Sequence, residues 1–171
     1  MANYADYADI IADIKDRFDD SSAATDTSIR RFVAPALWDI YARAKWKFTR
    51  KTSTIATVAS TEEYALASDY NFGGLYDVVN TTAKFIMTRI GDRSYDTALP
   101  ASTSTGSPYY YRLWGNTSGG IQNIQFYPIP SGVETITYRY YRKPTVVDLS
   151  TNTDNDDEVP DYIKNFYAIP L

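Results

Sequence analysis

The sequence contains neither cysteine nor histidine. Without cysteine it forms no disulfide and offers no thiolate to a metal, and without histidine it lacks the commonest general base and transition-metal ligand. Histidine-assisted nucleophilic catalysis is therefore excluded, and no carboxylate pair stands out among the 21 acidic residues. A Gly-rich phosphate loop and a dinucleotide fingerprint are also missing. These absences predict a protein that is not an enzyme and that binds no cofactor.

The sequence also lacks a basic N-terminal region followed by an apolar run, and it has no apolar stretch long enough to span a bilayer. We therefore expect no signal peptide and no membrane span, and a protein that is soluble when made. The chain has 21 acidic and 17 basic residues, for a net charge of -4. This balance argues against a protein whose whole surface grips a phosphate backbone.

Aromatic residues are abundant, with 16 tyrosines, 7 phenylalanines and 3 tryptophans. Amphipathic aromatics are enriched at protein interfaces, but they also favour β-strands and the margins of a sandwich core. Both interpretations stay open for each tyrosine.

Residues 1–50 carry apolar side chains at spacings of three, four and seven, which predicts two amphipathic helices separated by a polar break. Pro35 lies within the second helix and predicts a kink or a break just before it, or a helix whose regular part begins there. The apolar positions are Tyr4, Tyr7, Ile10, Ile11, Ile14 and Phe18 in the first helix, and Ile29, Phe32, Val33, Ala36, Leu37, Ile40, Tyr41, Ala44 and Phe48 in the second.

Residues 51–145 switch to a period of two, which predicts strands. Four short candidates, "TSTIATV", "EYAL", "LYDVV" and "KFIMTRI", predict a meander, with "SDYNFGG" and "NTT" as turns. Three stronger candidates, at residues 108–114, 121–127 and 133–141, predict a three-stranded antiparallel sheet. In the last of these, Ile136, Tyr138 and Tyr140 share one face.

Residues 146–171 predict an acidic loop and a short C-terminal helix that begins near Pro160. The loop contains Asp154, Asp156, Asp157 and Glu158, which could be read as calcium ligands, but an EF-hand's turn glycine and final glutamate are missing. We therefore favour a solvated loop and expect no metal site.

The whole pattern predicts one domain over residues 1–171 in the α+β class. In this prediction the N-terminal amphipathic helices and the short C-terminal helix pack on a mostly antiparallel β-sheet or small sandwich. Trp46 and Phe48 stand where the helical pattern ends and the strand pattern begins. We expect them to be a structural anchor between the second helix and the sheet.

Two basic clusters border the strands. They admit two interpretations, a solvated rim or a surface that pairs with acidic residues of a neighbouring subunit. The clusters consist of Arg43, Lys45, Lys47, Arg50 and Lys51, and of Arg139, Arg142 and Lys143.

The order of the sequence features resembles one protein family. A helix ending in "AKWKFTRKTST" is followed by "EYALASDY", "GLYDVV", "GSPYYYRLWG", "IQFYPIP", "ITYRYYRKPTVVDLS" and "VPDYIKNFY". This series, over roughly residues 28–168, resembles the adaptor or connector proteins that sit beneath the portal of tailed bacteriophages, including the tail-tubular type of short-tailed phages.

The resemblance implies a structural virion protein at the head-to-tail junction, made in the host cytoplasm. It implies a homo-oligomeric ring, a dodecamer, between the portal protein and a downstream tail or nozzle protein. Double-stranded DNA would pass through the lumen without sequence-specific binding, and the ring would retain or release the genome.

The resemblance also assigns candidate contact residues. Portal docking falls to the C-terminal residues Tyr162, Phe166 and Leu171. The candidates for contact with a neighbouring subunit or tail protein are Tyr109, Tyr111, Trp114, Tyr138, Arg139, Tyr140 and Arg142.

Two other functions remain open at this point. A tail tube or tail completion ring protein would share nearly all of these features. A β-rich receptor-binding or carbohydrate-binding module would use Tyr109, Tyr111, Trp114 and Tyr127 as a stacking platform, although the long predicted helices argue against it.

Overall fold

The computed structural model describes residues 7–19, 22–98 and 103–144. The chain divides into two compact units, Met1–Thr49 with Lys143–Leu171, and Arg50–Arg142. The prediction of one domain over residues 1–171 stays a prediction. The predicted acidic loop and C-terminal helix lie outside the described residues.

The first unit contains two helices, α1 (Tyr7–Phe18) and α2 (Ala23–Arg43), which contact each other. The α2 helix continues through Pro35, where the sequence predicts an interruption. A short 3-10 helix, Lys47–Thr49, follows α2.

The second unit is built from strands, because this part of the chain is rich in β-branched and aromatic residues. The described strands are β1 (Arg50–Ala56), β2 (Glu63–Ala65), β3 (Tyr70–Asn80), β4 (Phe85–Ile86), β5 (Thr88–Arg89), β6 (Thr105–Gly106), β7 (Tyr110–Asn116), β8 (Gln122–Tyr127), β9 (Ile129–Pro130) and β10 (Thr135–Arg142). One helix, α3 (Asp92–Ala98), lies between β5 and β6.

The strands form two four-stranded sheets and one small pair. The first sheet has the order β1-β10-β3-β4 and is antiparallel throughout. The second sheet has the order β2-β8-β7-β5, in which only β5 and β7 run parallel. The strands β6 and β9 form a short parallel pair.

The two larger sheets enclose one apolar core. From β10, Ile136, Tyr138 and Tyr140 enter it together, as the alternation predicts, and from β8 Ile124 and Phe126 enter it. The remaining buried members of the core are Ile55, Leu66, Tyr70, Val78, Met87 and Tyr111. The sheets therefore bury their inner faces against each other, as in a sandwich.

The predicted fold class, α+β with N-terminal amphipathic helices and a short C-terminal helix packed on the sheet, is wrong. In the residues that the structure describes, strands outnumber helices, and the two larger sheets are sandwich-like. Among the predicted apolar positions whose side chains the structure describes, Phe18 is 74% exposed, whereas Tyr41 is buried. The inner faces of the two sheets cover each other. The sheet surface that we expected the helices to cover is therefore covered by the opposite sheet.

The predicted strand connections also differ from the observed ones. The β1 strand pairs with β10 and not with β2, so the first four strands do not form a meander. The predicted pairing of residues 108–114 with 121–127 is confirmed by β7 and β8, but β10 belongs to the other sheet. A period of two identifies a strand and its buried face, whereas its partner is chosen by contacts distant in the sequence.

The stretch "SDYNFGG", predicted as a turn, contributes the first part of β3. Gly73 has a φ of +74°, and a Cβ atom added to Gly74 would lie 2.7 Å from the carbonyl oxygen of Asn71 and 3.0 Å from that of Tyr141. The register against β10 shifts here, so the glycines form an irregularity inside a strand.

Candidate interaction surface

The outer face of the second sheet carries a set of aromatic and polar side chains. On β7, Tyr111 and Leu113 turn towards the core, so Tyr110, Arg112 and Trp114 lie on the opposite face. Arg112 stands directly across from Gln125 of β8. The helix α3 contacts this strand and adds its own side chains.

Arg112 is the centre of this face, and only 8% of it is exposed. Its Nε–H donates to Oε1 of Gln125 at 2.7 Å, and its Nη1 donates to Oδ1 of Asp96 at 3.0 Å. Its guanidinium carbon lies 3.8 Å from the ring centroid of Tyr95 and 4.5 Å from that of Trp114. The cation is thus held by two hydrogen bonds and two aromatic rings, which leaves it little freedom.

A second part of the network connects β2 with β8. The amide of Asn123 donates to Oε1 of Glu63, and Nε2 of Gln125 donates to Oε2 of the same carboxylate at 3.1 Å. Both amide side chains are buried. Each therefore finds the hydrogen-bond partners that burial requires.

The aromatic rings of this face contact one another at their edges. The ring of Tyr127 lies 6.1 Å from that of Tyr95 and 6.4 Å from that of Tyr109, both nearly perpendicular. Burial raises the pKa of the Tyr95 hydroxyl, and the nearby Glu62 carboxylate raises it further. Tyr109 and Trp114 remain 44% and 47% exposed. We call Tyr95, Tyr109, Arg112, Trp114 and Tyr127 the aromatic surface.

Such a surface has the composition of a protein-binding site, because Trp, Tyr and Arg dominate the energetics of interfaces.

The comparison with known proteins identifies the family of the chain. The family model described as the SU10 adaptor protein matches residues 5–168. The chain belongs to this family. The resemblance to phage adaptor proteins is thereby confirmed. No curated protein matches the sequence.

The family identifies the chain as a bacteriophage adaptor, a structural component of the virion. In the parts of the adaptor that the structure describes, no helix has the length and apolarity needed to cross a membrane. The same residues contain no group of three or more acidic side chains placed to hold a metal ion.

The interface candidates of the adaptor separate into exposed and buried residues. Tyr109 and Trp114 lie on the aromatic surface with much of their rings exposed. Tyr111, Tyr138 and Tyr140 are buried in the core. The hydroxyl of Tyr138 there accepts a hydrogen bond from the backbone N–H of Ala67 at 2.9 Å.

Tyr140 takes part in a charged cluster at the margin of the core. Its hydroxyl donates to Oδ1 of Asp69 at 2.6 Å, and Nζ of Lys51 donates to Oδ2 of Asp69 at 2.7 Å. Burial acts against the carboxylate, but the hydrogen bonds from Lys51 and Tyr140 together hold the pKa of Asp69 below its ordinary value. The pKa of Tyr140 is raised, first by burial and then by its bond to Asp69.

A second set of charged and aromatic side chains lies on the outer face of the first sheet, and of these only Tyr141 is buried. Nη1 of Arg139 donates to Oδ2 of Asp77 at 2.6 Å. Between the pairs Asp77–Arg139 and Leu75–Tyr140 the register shifts, which leaves Tyr76 as the extra residue of a β-bulge. Tyr76 is 59% exposed. We call Arg50, Tyr76, Asp77, Arg139 and Tyr141 the arginine surface.

Arg142, the remaining interface candidate on β10, stands across from Tyr70 of β3.

The predicted anchor residues, Trp46 and Phe48, make contacts within the helical unit. The Nε1–H of Trp46 donates to the carbonyl oxygen of Ile40 at 2.7 Å, and the rings of Trp46 and Phe48 stack at 6.1 Å. The portal-docking candidates Tyr162, Phe166 and Leu171 lie outside the described residues.

Sequence reasoning missed Arg112, Tyr95 and Tyr76 as members of these surfaces, whereas it named Arg50 in a basic cluster that could pair with a neighbouring subunit. The signal for Arg112 was present, since a strand in "YYYRLW" places it on one face with Tyr110 and Trp114. Tyr95 and Tyr76 gave no such signal. One lies on a short helix that folds over the sheet, and the other owes its direction to a bulge.

Proposed function

We propose that this adaptor is the subunit of a homo-oligomeric ring, a dodecamer, that joins the portal to the tail and lines the channel through which the genome passes. The observation that carries the proposal is the family match, which extends over residues 5–168. It covers both the helical and the strand-rich unit, so it does not depend on one shared motif. The role is structural and not catalytic.

The aromatic surface supports a function in assembly. Its rings and its guanidinium are fixed by neighbours within the subunit, as the hydrogen bonds of Arg112 show. A side chain that is ordered before binding loses less conformational entropy in the complex. Trp114 and Tyr109 thus have the exposure and the rigidity expected of contact residues.

The charge of the chain fits a passage for DNA. At a net charge of -4 the subunit does not favour tight binding of a polyanion over its whole surface. A ring of such subunits would let double-stranded DNA pass without sequence-specific contacts. The proposal assigns portal docking to Tyr162, Phe166 and Leu171, and contact with the tail or nozzle protein to exposed strand residues.

Native mass spectrometry of the purified adaptor, alone and mixed with portal rings, tests this function. We expect a monomer or weak oligomer alone, and on the portal ring about one adaptor per portal subunit. A variant with Tyr162→Ala and Phe166→Ala should lose portal binding while its far-UV circular dichroism is unchanged. A matched variant with Tyr4→Ala, outside the proposed docking residues, should still bind.

Two other results would point elsewhere. An adaptor that ignores portal rings but joins purified tail tubes would assign it to the tube or to tail completion. An adaptor that ignores both and binds a glycan, with the affinity lost in Trp114→Ala, would make it a carbohydrate-binding module. Either result would overturn the portal-to-tail assignment.

A further inference from the structure

The outer faces of the two larger sheets differ in charge and in the partners of their arginine side chains. On the arginine surface, Nε and Nη2 of Arg50 donate to the hydroxyl of Tyr141 at 3.2 and 3.1 Å. The guanidinium carbon of Arg50 lies 5.0 Å from the ring centroid of Tyr76 and 5.5 Å from that of Tyr141. Arg50 is exposed. Its cation is therefore ordered by aromatic groups at the surface of the sheet.

Arg50 also differs from the other arginines described on these faces. Arg139 and Arg112 each pair with an aspartate. Within residues 7–19, 22–98 and 103–144, no carboxylate forms an ion pair with Arg50, whose contacts are with tyrosines. A guanidinium has five N–H donors, and a carboxylate is the partner that matches its planar geometry best. The arginine surface thus presents one positioned cation with donors to spare.

The aromatic surface has the opposite character. Asp92 and Asp96 are exposed and one turn apart on α3, so they lie on the same side of this helix, which also carries the exposed Arg93. The side chain of Asp96 is 63% exposed although one of its oxygens contacts Arg112. Exposed Glu63 lies on the neighbouring β2. Asp96 and the ring of Trp114 thus both contact Arg112, whose positive charge is buried, and the Glu62 carboxylate acts on the neighbouring Tyr95.

We infer that the arginine surface of one adaptor binds the aromatic surface of a second copy, with Arg50 accepted by the α3 carboxylates Asp92 and Asp96. Opposite charges meet in this arrangement, and exposed Tyr76 meets exposed aromatic rings. The two surfaces are different, so the contact is heterologous, and a heterologous contact repeats into a ring when its rotation closes. The inference rests on the proposed ring and names the surfaces that would form it.

Charge reversal tests the pairing. We expect Arg50→Glu or Asp92→Lys alone to weaken self-association about tenfold, measured by sedimentation velocity over a concentration series. An equimolar mixture of the two variants should recover the association, because each then offers the other a matching surface. Lys84→Glu makes the same charge change as Arg50→Glu in the turn after β3 and should leave self-association unchanged. Failure of the mixture to recover would overturn the inference.

Cysteine cross-linking gives a second measurement, and the chain has no cysteine of its own to interfere. Thr52→Cys lies on the outer face of the first sheet, across from Arg139, and Gly91→Cys directly precedes Asp92 of α3, with no atom within 4 Å of the added Cβ. Under mild oxidation a mixture of the two variants should give mixed dimers, and a chain carrying both should give a ladder of larger species. Dimers of Thr52→Cys with itself or of Gly91→Cys with itself, or no cross-link even when the adaptor is bound to portal rings, would overturn the inference.

Portal binding separates this inference from the proposed function. If folded wild-type adaptor binds portal rings at about one copy per portal subunit but the two cysteines never cross-link there, only the surface assignment fails. If the adaptor does not bind portal rings at all, the proposed function fails, whatever its self-association.

Discussion

Arg112→Ala is the perturbation that most directly tests the description of the aromatic surface. The substitution removes the donor that Oε1 of Gln125 accepts at 2.7 Å and leaves this buried oxygen unsatisfied. An unsatisfied buried polar group costs about 1 to 3 kcal/mol. The guanidinium also loses its contacts with Tyr95 and Trp114, which contribute roughly 0.5 to 2 kcal/mol.

The ion pair with Asp96 adds little to this sum. The Asp96 side chain is 63% exposed, and pairs with an exposed partner contribute about 0 to 1 kcal/mol. We therefore expect Arg112→Ala to lower the free energy of unfolding by about 3 kcal/mol. Arg112→Lys should lose less, because it retains a charge and a donor but not the planar group that lies between the rings.

Urea unfolding followed by tryptophan fluorescence measures this loss as a shift of the midpoint at an unchanged m value. A double-mutant cycle with Trp114→Ala isolates the coupling between the guanidinium and the ring. Lys47→Ala, at an exposed position of the 3-10 helix, is the control and should change stability by less than about 0.5 kcal/mol. An Arg112→Ala variant as stable as this control would refute the buried network.

Three further predictions concern the strand-rich unit. Gly74→Ala should lower the free energy of unfolding by about 1 to 3 kcal/mol in the same assay, because its Cβ would meet fixed backbone oxygens. Gly132→Ala has open space around the added atom and should be near neutral. Equal effects of the two substitutions would contradict the strand irregularity at Gly74. Phe126→Ala should cost about 3 to 5 kcal/mol, since the ring is fully buried between the sheets, and a loss under about 1 kcal/mol would place it outside the core. Asp69 has a pKa held below 3.8, so the stability it contributes is fully present above that value and is lost as the pH falls through the lower folded-state pKa. Urea midpoints measured between about pH 6 and pH 2 should therefore fall less for Asp69→Asn than for the wild type, and parallel curves would show that the carboxylate is not stabilised by folding.

The surfaces show why stability and assembly must be measured separately in this adaptor. Arg112 supports the aromatic surface from beneath, so its loss is expected to reduce both stability and binding. Among the residues that the structure describes, exposed Arg50 contacts the rings of Tyr76 and Tyr141 and the Tyr141 hydroxyl. Its reversal is expected to change association, and the urea midpoint of Arg50→Glu measures what the lost contacts with Tyr76 and Tyr141 cost in stability.

Several features could be predicted from the sequence because they depend on local chemistry. The alternation in residues 133–141 predicted that Ile136, Tyr138 and Tyr140 share a face, and they enter the core together. The two aromatic runs around "GNTSGG" predicted the antiparallel pair β7 and β8. The ordered series of short motifs predicted the adaptor family, which the match over residues 5–168 confirms.

Other features were decided by tertiary structure. The helical pattern near the N-terminus was read as a face that covers a sheet, but two sheets cover each other, and the α+β prediction failed for this reason. The pairing of β1 with β10 joins residues 50–56 to residues 135–142, and no local pattern encodes that choice.

The candidate surfaces, too, were partly predictable from the sequence and partly decided by the tertiary structure. The resemblance to the adaptor family placed Tyr109 and Trp114 among the contact candidates, and their side chains are 44% and 47% exposed. Other features could be identified only in the folded chain. These are the bulge that turns Tyr76 outward and the stacking of Arg50 on its ring. The contacts of Tyr95 and Asp96 with Arg112 are a further example. These contacts join residues from different strands and from α3, and their geometry exists only when the sheets have formed.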